Sequence, residues 1–181
     1  MDFSFQVDQE TKLTLSLPHH AAEIASVVTA NLAHLQQWMP WATNDYSIES
    51  ALLYIRNNLE EIAAGTGFNA SIVYENKICG QIGFHDLDAA NKSVKMGYWI
   101  AANLQGKGIV TRCSRALIDH AFFDLNLNRV QINCDAENRK SRRIPERLGF
   151  ELEGIQRQAK FENNNFTDWA IYAMLKQDWK N

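Results

Sequence analysis

The segment from Tyr98 to Thr111 most constrains the fold of this chain, because an alternating strand runs there into a glycine loop that opens a helix. Gly106 and Gly108 have no side chains, so a ligand can approach the main chain closely. The helix that follows directs its free NH groups and the positive end of its dipole at the same place. The pattern predicts an anion site, and a phosphate or pyrophosphate suits it.

Other interpretations of this loop have to be weighed. A Gly-x-Gly turn can be a tight connection without a ligand. A Walker A loop needs Gly-x-x-x-x-Gly-Lys followed by Ser or Thr, whereas Lys107 lies between the glycines. The Rossmann fingerprint needs a small residue where Thr111 stands and an acid about twenty residues further on, and Asp135 comes later than that. If a nucleotide binds here, it is held in another way.

The length and charge narrow the class of protein. A chain of 181 residues suits one domain, which we expect to span residues 1–181. The formal net charge of −3 disfavours a general nucleic-acid or membrane-surface binder, since those need a broad positive field. The amino terminus lacks the pattern of a signal peptide, and no apolar run approaches membrane-spanning length. We therefore expect a soluble cytoplasmic protein that binds neither membranes nor nucleic acid.

The three cysteines, Cys79, Cys113 and Cys134, are widely spaced and form no Cys-x-x-Cys pair. This pattern favours reduced thiols in a cytosol over disulfides or a zinc site. We expect each cysteine to pack as a small hydrophobic residue, and we expect no metal.

Hydrophobic periodicity predicts the remaining elements in the order βα, α, βββ, α, β, α, ββ. After the glycine loop, the helix is expected to pack through Ile109, Cys113, Ala116, His120 and Phe123. Before the loop, the predicted helices are one over 24–35, broken near Pro40, and one with an apolar stripe of Ile48, Leu52, Ile55, Leu59 and Ile62, stopped by Gly65. The predicted strands cover 13–17, 68–74, 78–85, 94–100 and 130–134. A short helix over 141–148 and two last strands joined around Asn163 to Asn165 complete the chain.

Three short motifs follow one another in a recognisable order. They are Gly97-Tyr98-Trp99-Ile100, then Gln105-Gly106-Lys107-Gly108-Ile109, then Asn138-x-x-Ser141 followed by Pro145-Glu146-Arg147-Leu148-Gly149-Phe150. Together they resemble the GNAT superfamily of acetyl-CoA-dependent N-acetyltransferases, and within it the RimJ/RimL-like branch that acetylates ribosomal proteins. The likeness runs from about Leu13 to Trp179. It implies a mixed α/β fold with a central, mostly antiparallel sheet of about seven strands flanked by four helices.

The resemblance also implies a cofactor site. In GNAT folds the matching loop binds the CoA pyrophosphate through main-chain NH groups, and the preceding strand pairs with the pantetheine amides, as strand edges do with peptides. The strands matching 94–100 and 130–135 diverge in the family and leave main-chain groups for the ligand. The residues expected to bind acetyl-CoA are Trp99, Ile100, Gln105, Gly106, Lys107, Gly108, Ile109, Val110, Thr111, Asn138 and Ser141.

The catalytic roles follow from the same resemblance. A main-chain NH near Trp99 or Ile100 would polarise the thioester carbonyl. Many GNAT enzymes protonate the CoA thiolate with a tyrosine where this chain has Pro145, whereas RimL-like proteins carry a serine at Ser141. Ser141 is thus the candidate acid, and the alternative is that Asn138 and Ser141 only cap a helix. No glutamate base can be carried over, because Lys95 and Lys160 stand where relatives have acids.

The missing base points to the acceptor. An α-amine has a pKa near 8 and a lysine near 10.4, so about 10% against about 0.04% is neutral at pH 7. The sequence therefore favours a protein N-terminus or a small primary amine over a peptide lysine. The alternatives are a polyamine or aminoglycoside acetyltransferase and a non-catalytic acyl-CoA-binding regulator, and a homodimer is compatible with either. Residues that could line the acceptor groove are Trp38, Trp41, His85 and Asp86.

Overall fold

An eight-stranded sheet forms the centre of the structure, a computed structural model that describes residues 3–162 and 165–180. Within those residues this is one strand more than about seven, because the pairing of residues 4–6 was not predicted. The strands are β1 (Ser4–Gln6), β2 (Thr11–Leu15), β3 (Phe68–Tyr74), β4 (Lys77–Asp88), β5 (Ser93–Ile100), β6 (Arg129–Asp135), β7 (Glu151–Glu162) and β8 (Asn165–Leu175).

The sheet has the order β1-β2-β3-β4-β5-β6-β8-β7 and is antiparallel except between β5 and β6. That parallel pair is short, because only Ser93, Val94 and Lys95 of β5 are opposite residues of β6. Beyond Lys95 the two strands diverge, as the resemblance implied. β5 stays paired with β4 up to Ile100, and β6 stays paired with β8 up to Asp135.

Five helices cover the described sheet: α1 (Ala21–Ala30), α2 (Leu32–Leu35), α3 (Ile48–Ala64), α4 (Ile109–Asp119) and α5 (Arg139–Arg147). α1 and α3 pack on one face around Val73 and Ile78. α4 packs on the other face against residues such as Ile72 and Ile82. The predicted mixed α/β fold is confirmed, with helices on both faces of the sheet. No helix in the described part of the chain has the length and apolar composition needed to cross a membrane.

The first predicted helix is divided in two at Asn31. The Asn31 side chain donates from Nδ2 to the Val27 carbonyl at 2.8 Å, and the backbone leaves helical geometry at this residue. Asparagine competes with helical hydrogen bonding in this way. The division adds the fifth helix, which the continuous apolar stripe did not predict.

α3 begins and ends as the sequence indicated, but its buried face differs. Ser47 caps its start by accepting from Ser50 N, and Gly65 ends it in a left-handed conformation with φ 67°. The predicted stripe was wrong for Ile48 and Ile62, which are exposed. Ile55 is buried as predicted, and Ala51 and Asn58, which the stripe did not include, are buried as well. The Asn58 carboxamide pairs with both main-chain groups of Asn69 on β3.

α4 packs through part of the predicted face. Ile109 and Cys113 are buried as predicted, and Leu117 is buried as well, whereas Phe123 is 52% exposed. The helix continues after Asp119 as a wider π turn over His120–Asp124, which moves Phe122 into the core and Phe123 out. The prediction that Phe123 packs in the core was therefore wrong, because it assumed an unbroken α-helix.

The turn predicted around Asn163 to Asn165 lies partly outside the described residues, although the two strands it joins are confirmed.

Candidate active site

The divergence of β5 and β6 opens a cavity of about 240 Å³ in the middle of the sheet. Its walls come from the two strands and from the segment after α2, the start of α5 and the β7–β8 hairpin. The side chains used below are Trp38, Tyr98, Cys134, Asn138, Ser141 and Lys160. A gap in a sheet also leaves main-chain groups without strand partners, so the cavity has polar as well as apolar walls.

The register of β5 determines which main-chain groups face the gap. Gln81 of β4 is opposite Trp99, and Ala101 N donates to Cys79 O on β4 at 2.7 Å. Because main-chain groups alternate sides along a strand, Trp99 directs its NH at β4, whereas Tyr98 and Ile100 direct theirs at the gap. Of the two NH groups that the sequence left open, the register therefore favours that of Ile100. The Trp99 ring packs instead on Trp41, with ring centroids 5.8 Å apart.

The glycine loop has the open geometry that the sequence predicted. Gly106 and Gly108 both have positive φ, 80° and 74°, and a Cβ on Gly106 would meet no described atom within 4 Å beyond its own residue and its two chain neighbours. No described side chain caps the start of α4, so its first NH groups stay available. Ile109 and Val110 are buried as whole residues at the start of α4, so Gly106 and Lys107 form the exposed part of the loop. Together these features make the loop suited to bind an anion through its main chain.

Arg112 of α4 links the glycine loop to the turn between β1 and β2. Its Nη1 donates to the Lys107 carbonyl at 3.0 Å, and its Nε donates to Asp8 Oδ2 at 2.6 Å. Burial raises the pKa of the Asp8 carboxyl, but hydrogen bonds from Glu10, Arg112 and Thr11 outweigh this effect and hold that pKa below its usual value. The Lys107 ammonium lies 5.4 Å from the centroid of the Tyr74 ring. The main chain of the loop is thus held in place by a side chain of α4.

Gln105, at the start of the loop, is held from two sides. Its Nε2 lies 2.8 Å from Nε2 of His34 on α2, and its Oε1 accepts from Nζ of Lys140 on α5 at 2.9 Å. The sequence placed Gln105 in the cofactor site but did not indicate either partner, because both are distant in the chain.

The two polar residues at the start of α5 divide the roles that the sequence could not separate. Asn138 is the cap, since its Oδ1 accepts from Ser141 N at 3.1 Å. The Ser141 hydroxyl is turned toward the cavity instead, 3.3 Å from Cys134 Sγ and 3.4 Å from the Tyr98 hydroxyl. Tyr98 in turn donates to the Ser141 carbonyl at 3.1 Å. Pro145, where many relatives have tyrosine, is buried inside α5.

Tyr98 and Cys134 are the site residues that sequence reasoning missed. Burial raises the pKa of the Tyr98 hydroxyl well above its usual value, and burial likewise raises the pKa of the Cys134 thiol. Both groups are therefore neutral hydrogen-bonding partners for Ser141 at ordinary pH. All three cysteines are buried free thiols, as predicted, but Cys134 also contributes to the cavity wall. Strand alternation was the available signal, since Cys134 and Tyr98 both face the gap.

The predicted acceptor residues are brought together with one exception. Trp38, His85 and Asp86 line the cavity, whereas Trp41 does not and packs on Tyr46 and Trp99. Lys95 and Lys160 line the cavity as well.

Lys95 and Asp86 form an ion pair, whereas Lys160 lies against aromatic residues. Lys95 Nζ donates to Asp86 Oδ2 at 2.9 Å, and this hydrogen bond is the main reason that the pKa of Asp86 is lowered. The Lys160 ammonium lies 5.7 Å from the centroid of the Trp169 ring, at the end of the cavity formed by Trp38. A carboxylate that is paired with lysine is a weak base, so Asp86 is poorly suited to take a proton.

Comparison with known proteins gives one consistent likeness. The family described as "Acetyltransferase (GNAT) domain" matches residues 12–151. YdaF of Bacillus subtilis (strain 168), whose name assigns it provisionally to ribosomal N-acetylation, is 35% identical over 179 residues, covering 98% of both chains. The ribosomal-protein-serine acetyltransferase of Escherichia coli (strain K12) is 29% identical over 175 residues, covering 97% of this chain and 98% of that protein.

A solved structure shares the arrangement of the whole chain. RimL, named as a ribosomal L7/L12 α-N-protein acetyltransferase and solved with coenzyme A, superposes with a TM-score of 0.91. It is 26% identical, and the match covers 96% of this chain and 98% of that one.

Proposed function

Because the chain belongs to the GNAT acetyltransferase family, whose members take acetyl from acetyl-CoA, we propose that it acetylates the α-amine at a protein N-terminus, and that a ribosomal protein supplies this N-terminus. The observation that carries the proposal is the cavity at the divergence of β5 and β6. Ser141 and Tyr98 both line this cavity, and the main chain of β5 beyond Lys95 lacks a partner strand on the side of the gap.

The glycine loop fits the phosphates of acetyl-CoA. Gly106 leaves open space for a phosphate to approach, and the uncapped start of α4 supplies main-chain donors. Ile100 and Tyr98 present an edge to which a peptide-like ligand can pair, as an added strand would. Acetyl-CoA supplies an activated thioester whose carbonyl carbon an amine can attack.

The chain's own groups would act at two places. The Ile100 NH, directed at the gap, is placed to donate to the thioester carbonyl oxygen as negative charge develops there, which typically contributes about 3 kcal/mol. The Ser141 hydroxyl is placed to give its proton to the departing sulfur, because it lies in the cavity wall and is not used as a cap. The proton that the attacking nitrogen loses returns through water to the serine oxygen, so the step is balanced. The acyl group moves directly between the two substrates, and no residue of the chain needs to carry it.

The acceptor assignment rests on the charges in the cavity. Lys95 and Lys160 are cations at the end where an amine would enter, and the carboxylate of Asp86 is engaged by Lys95. Neither arrangement favours a polycation, and neither supplies a strong base. An α-amine is partly neutral at pH 7, so it can react after losing its proton to water.

The names of the relatives support the same class of acceptor. The Escherichia coli relative is named for acetylating a serine of a ribosomal protein, and RimL is named for the α-amine of L7/L12. A ribosomal acceptor would be met in the cytoplasm, which agrees with the expected location.

An acceptor panel tests the proposal. The purified protein is incubated with acetyl-CoA and three acceptors: a lysine-free peptide with a free α-amine, the same peptide with a blocked α-amine and one internal lysine, and spermidine. Mass spectrometry should show acetylation of the first peptide, at least ten times faster than that of the other two. Equal or faster acetylation of the lysine peptide or spermidine would contradict the α-amine assignment, and no transfer to any amine would favour a binding regulator.

A further inference from the structure

We propose that His34 is a positioning residue for the transfer reaction: it holds Gln105 and the glycine loop against the segment that leads into the cavity wall at Trp38 and Met39. The inference rests on the proposed function only in taking the loop as the cofactor site. Its observation is the side-chain bridge from α2 through Gln105 to α5.

The two partners of Gln105 fix the orientation of its carboxamide. Lysine can only donate, so the atom 2.9 Å from Lys140 Nζ must be the carboxamide oxygen. The NH2 group then faces His34 Nε2 at 2.8 Å and donates to it. Consequently Nε2 of His34 has to carry a lone pair, and the ring is neutral with its proton on Nδ1. Burial and the charge of Lys140 lower the pKa of His34, which agrees with a neutral ring at physiological pH.

A second side chain of the same region holds the approach to the loop. Asn31, at the junction of α1 and α2, accepts from Ala102 N at 2.8 Å through its Oδ1. Residues 102–104 form the short 3-10 turn that leads into Gln105. Asn31 and His34 are one helical turn apart, so the junction of α1 and α2 contacts the segment 102–105 at both of its ends.

The segment that follows His34 leads directly into the wall of the cavity. Leu35, next to His34, is 2% exposed in the core around α1 and α3. Its carbonyl accepts from Trp38 N at 3.0 Å and from Met39 N at 2.8 Å, and the side chains of both residues line the cavity. The loop and this wall are therefore tied to one hydrogen-bonded turn. We infer that a cofactor bound on the loop also orders the wall against which the amine is placed.

The tautomer of His34 gives a test that needs no ligand and no activity. Two-bond ¹H–¹⁵N spectra of ¹⁵N-histidine-labelled protein at pH 7, assigned with a His34→Gln sample, should show His34 neutral with its proton on Nδ1. A proton on Nε2, or a doubly protonated ring, would overturn the bridge. This outcome is independent of the acceptor panel, so failure of the inference and failure of the proposed function can be told apart.

Variants test the consequence for binding. His34→Ala should raise the Kd for acetyl-CoA and the KM for the amine by about 5-fold each, the effect of one hydrogen bond, and should change kcat by less than about 2-fold. His34→Gln should restore both values, since its Oε1 can accept from Gln105. Gln37→Ala is the matched control, because this exposed side chain of the same segment donates a hydrogen bond to the Ala33 carbonyl of α2, at 3.1 Å, and none to Gln105 in the described structure. Wild-type binding by His34→Ala, or equal loss in His34→Gln, would overturn the proposal.

Discussion

Ser141 shows how much depends on the direction of one hydroxyl. Asn138 occupies the capping position, so the Ser141 side chain is not needed to begin α5. Its oxygen is held between Cys134 and Tyr98, two groups that burial keeps neutral. A neutral hydroxyl in that place can donate to a new acceptor in the cavity without first losing a salt bridge.

Ser141→Ala should therefore lower kcat by about 10²-fold, the usual contribution of a general acid, while the Kd for acetyl-CoA changes by less than about 3-fold. Steady-state kinetics and isothermal titration measure the two quantities. Ser114→Ala is the matched control, because the Ser114 hydroxyl is buried in α4 with no hydrogen-bond partner among the described residues. An unchanged kcat in Ser141→Ala would remove the acid role from Ser141.

At the scale of elements, the glycine loop depends on backbone geometry. Gly106 has φ 80° with open space where a Cβ would be, and Gly65 at the end of α3 has φ 67° with equally open space. Alanine at either position meets the same left-handed strain, which costs about 1 kcal/mol of unfolding free energy. Gly106 belongs to the proposed phosphate surface, whereas Gly65 ends α3 and has no proposed part in binding.

We expect Gly106→Ala and Gly65→Ala to lose similar stability in urea titrations, whereas Gly106→Ala alone should weaken acetyl-CoA binding by at least about 10-fold. The new methyl group would occupy space that a phosphate oxygen needs. Equal affinities of the two variants for acetyl-CoA would place the phosphates elsewhere.

The ion pair of Arg112 and Asp8 links the glycine loop and α4 to the turn between β1 and β2. Asp8, in the turn between β1 and β2, accepts from Arg112 of α4, and Arg112 also donates to the loop at Lys107. The pKa of Asp8 is lower in the folded chain than its usual value near 3.8. Folding therefore favours the ionised carboxylate. The resulting stabilisation is complete above about pH 4 and is lost as the pH falls through the lowered pKa.

Asp8→Asn should accordingly melt at a lower temperature than the wild type at pH 7, and the difference should shrink as the pH falls below about 4. Thermal melts between pH 7 and pH 3 measure it. Adding Arg112→Gln to Asp8→Asn should cost less than the sum of the two single changes, since the pair is already broken. A gap that stays constant down to pH 3 would show that the charge of Asp8 does not contribute.

At the scale of the whole molecule, the site joins parts that fold on different faces of the sheet. The loop opens α4 on one face, His34 and Trp38 come from the α1–α3 side, and Ser141 begins α5. A ligand spanning these parts binds only the folded chain, so it stabilises the whole fold by mass action.

Acetyl-CoA at about 100 times its Kd should add about 2.7 kcal/mol of unfolding free energy, which raises the Tm by about 5 to 10 °C for a chain of this size. Differential scanning fluorimetry measures the shift. Gly106→Ala, with at least about 10-fold weaker binding, should show about half of this shift or less at the same ligand concentration, and an equal shift in both proteins would contradict the proposed binding surface.

The short-range order of this protein could be predicted from its residues alone. Alternation defined β3 and β5, Gly65 ended α3, and the glycine pair opened α4, because each of these depends on neighbours a few positions away. The motifs at 97–100, 105–109 and 138–150 likewise identified the family, which the match over residues 12–151 confirms.

Contacts between distant residues were decided only by the tertiary structure. The sequence could not show that the Trp99 NH is directed at β4, that Phe123 leaves the core through a π turn, or that His34 and Lys140 meet at Gln105. Each depends on strand register or on helix packing between segments far apart in the chain, and hydrophobic period alone carries no information on either. Local pattern thus determined the elements and the loop, whereas the arrangement of the sheet determined which atoms face the cavity.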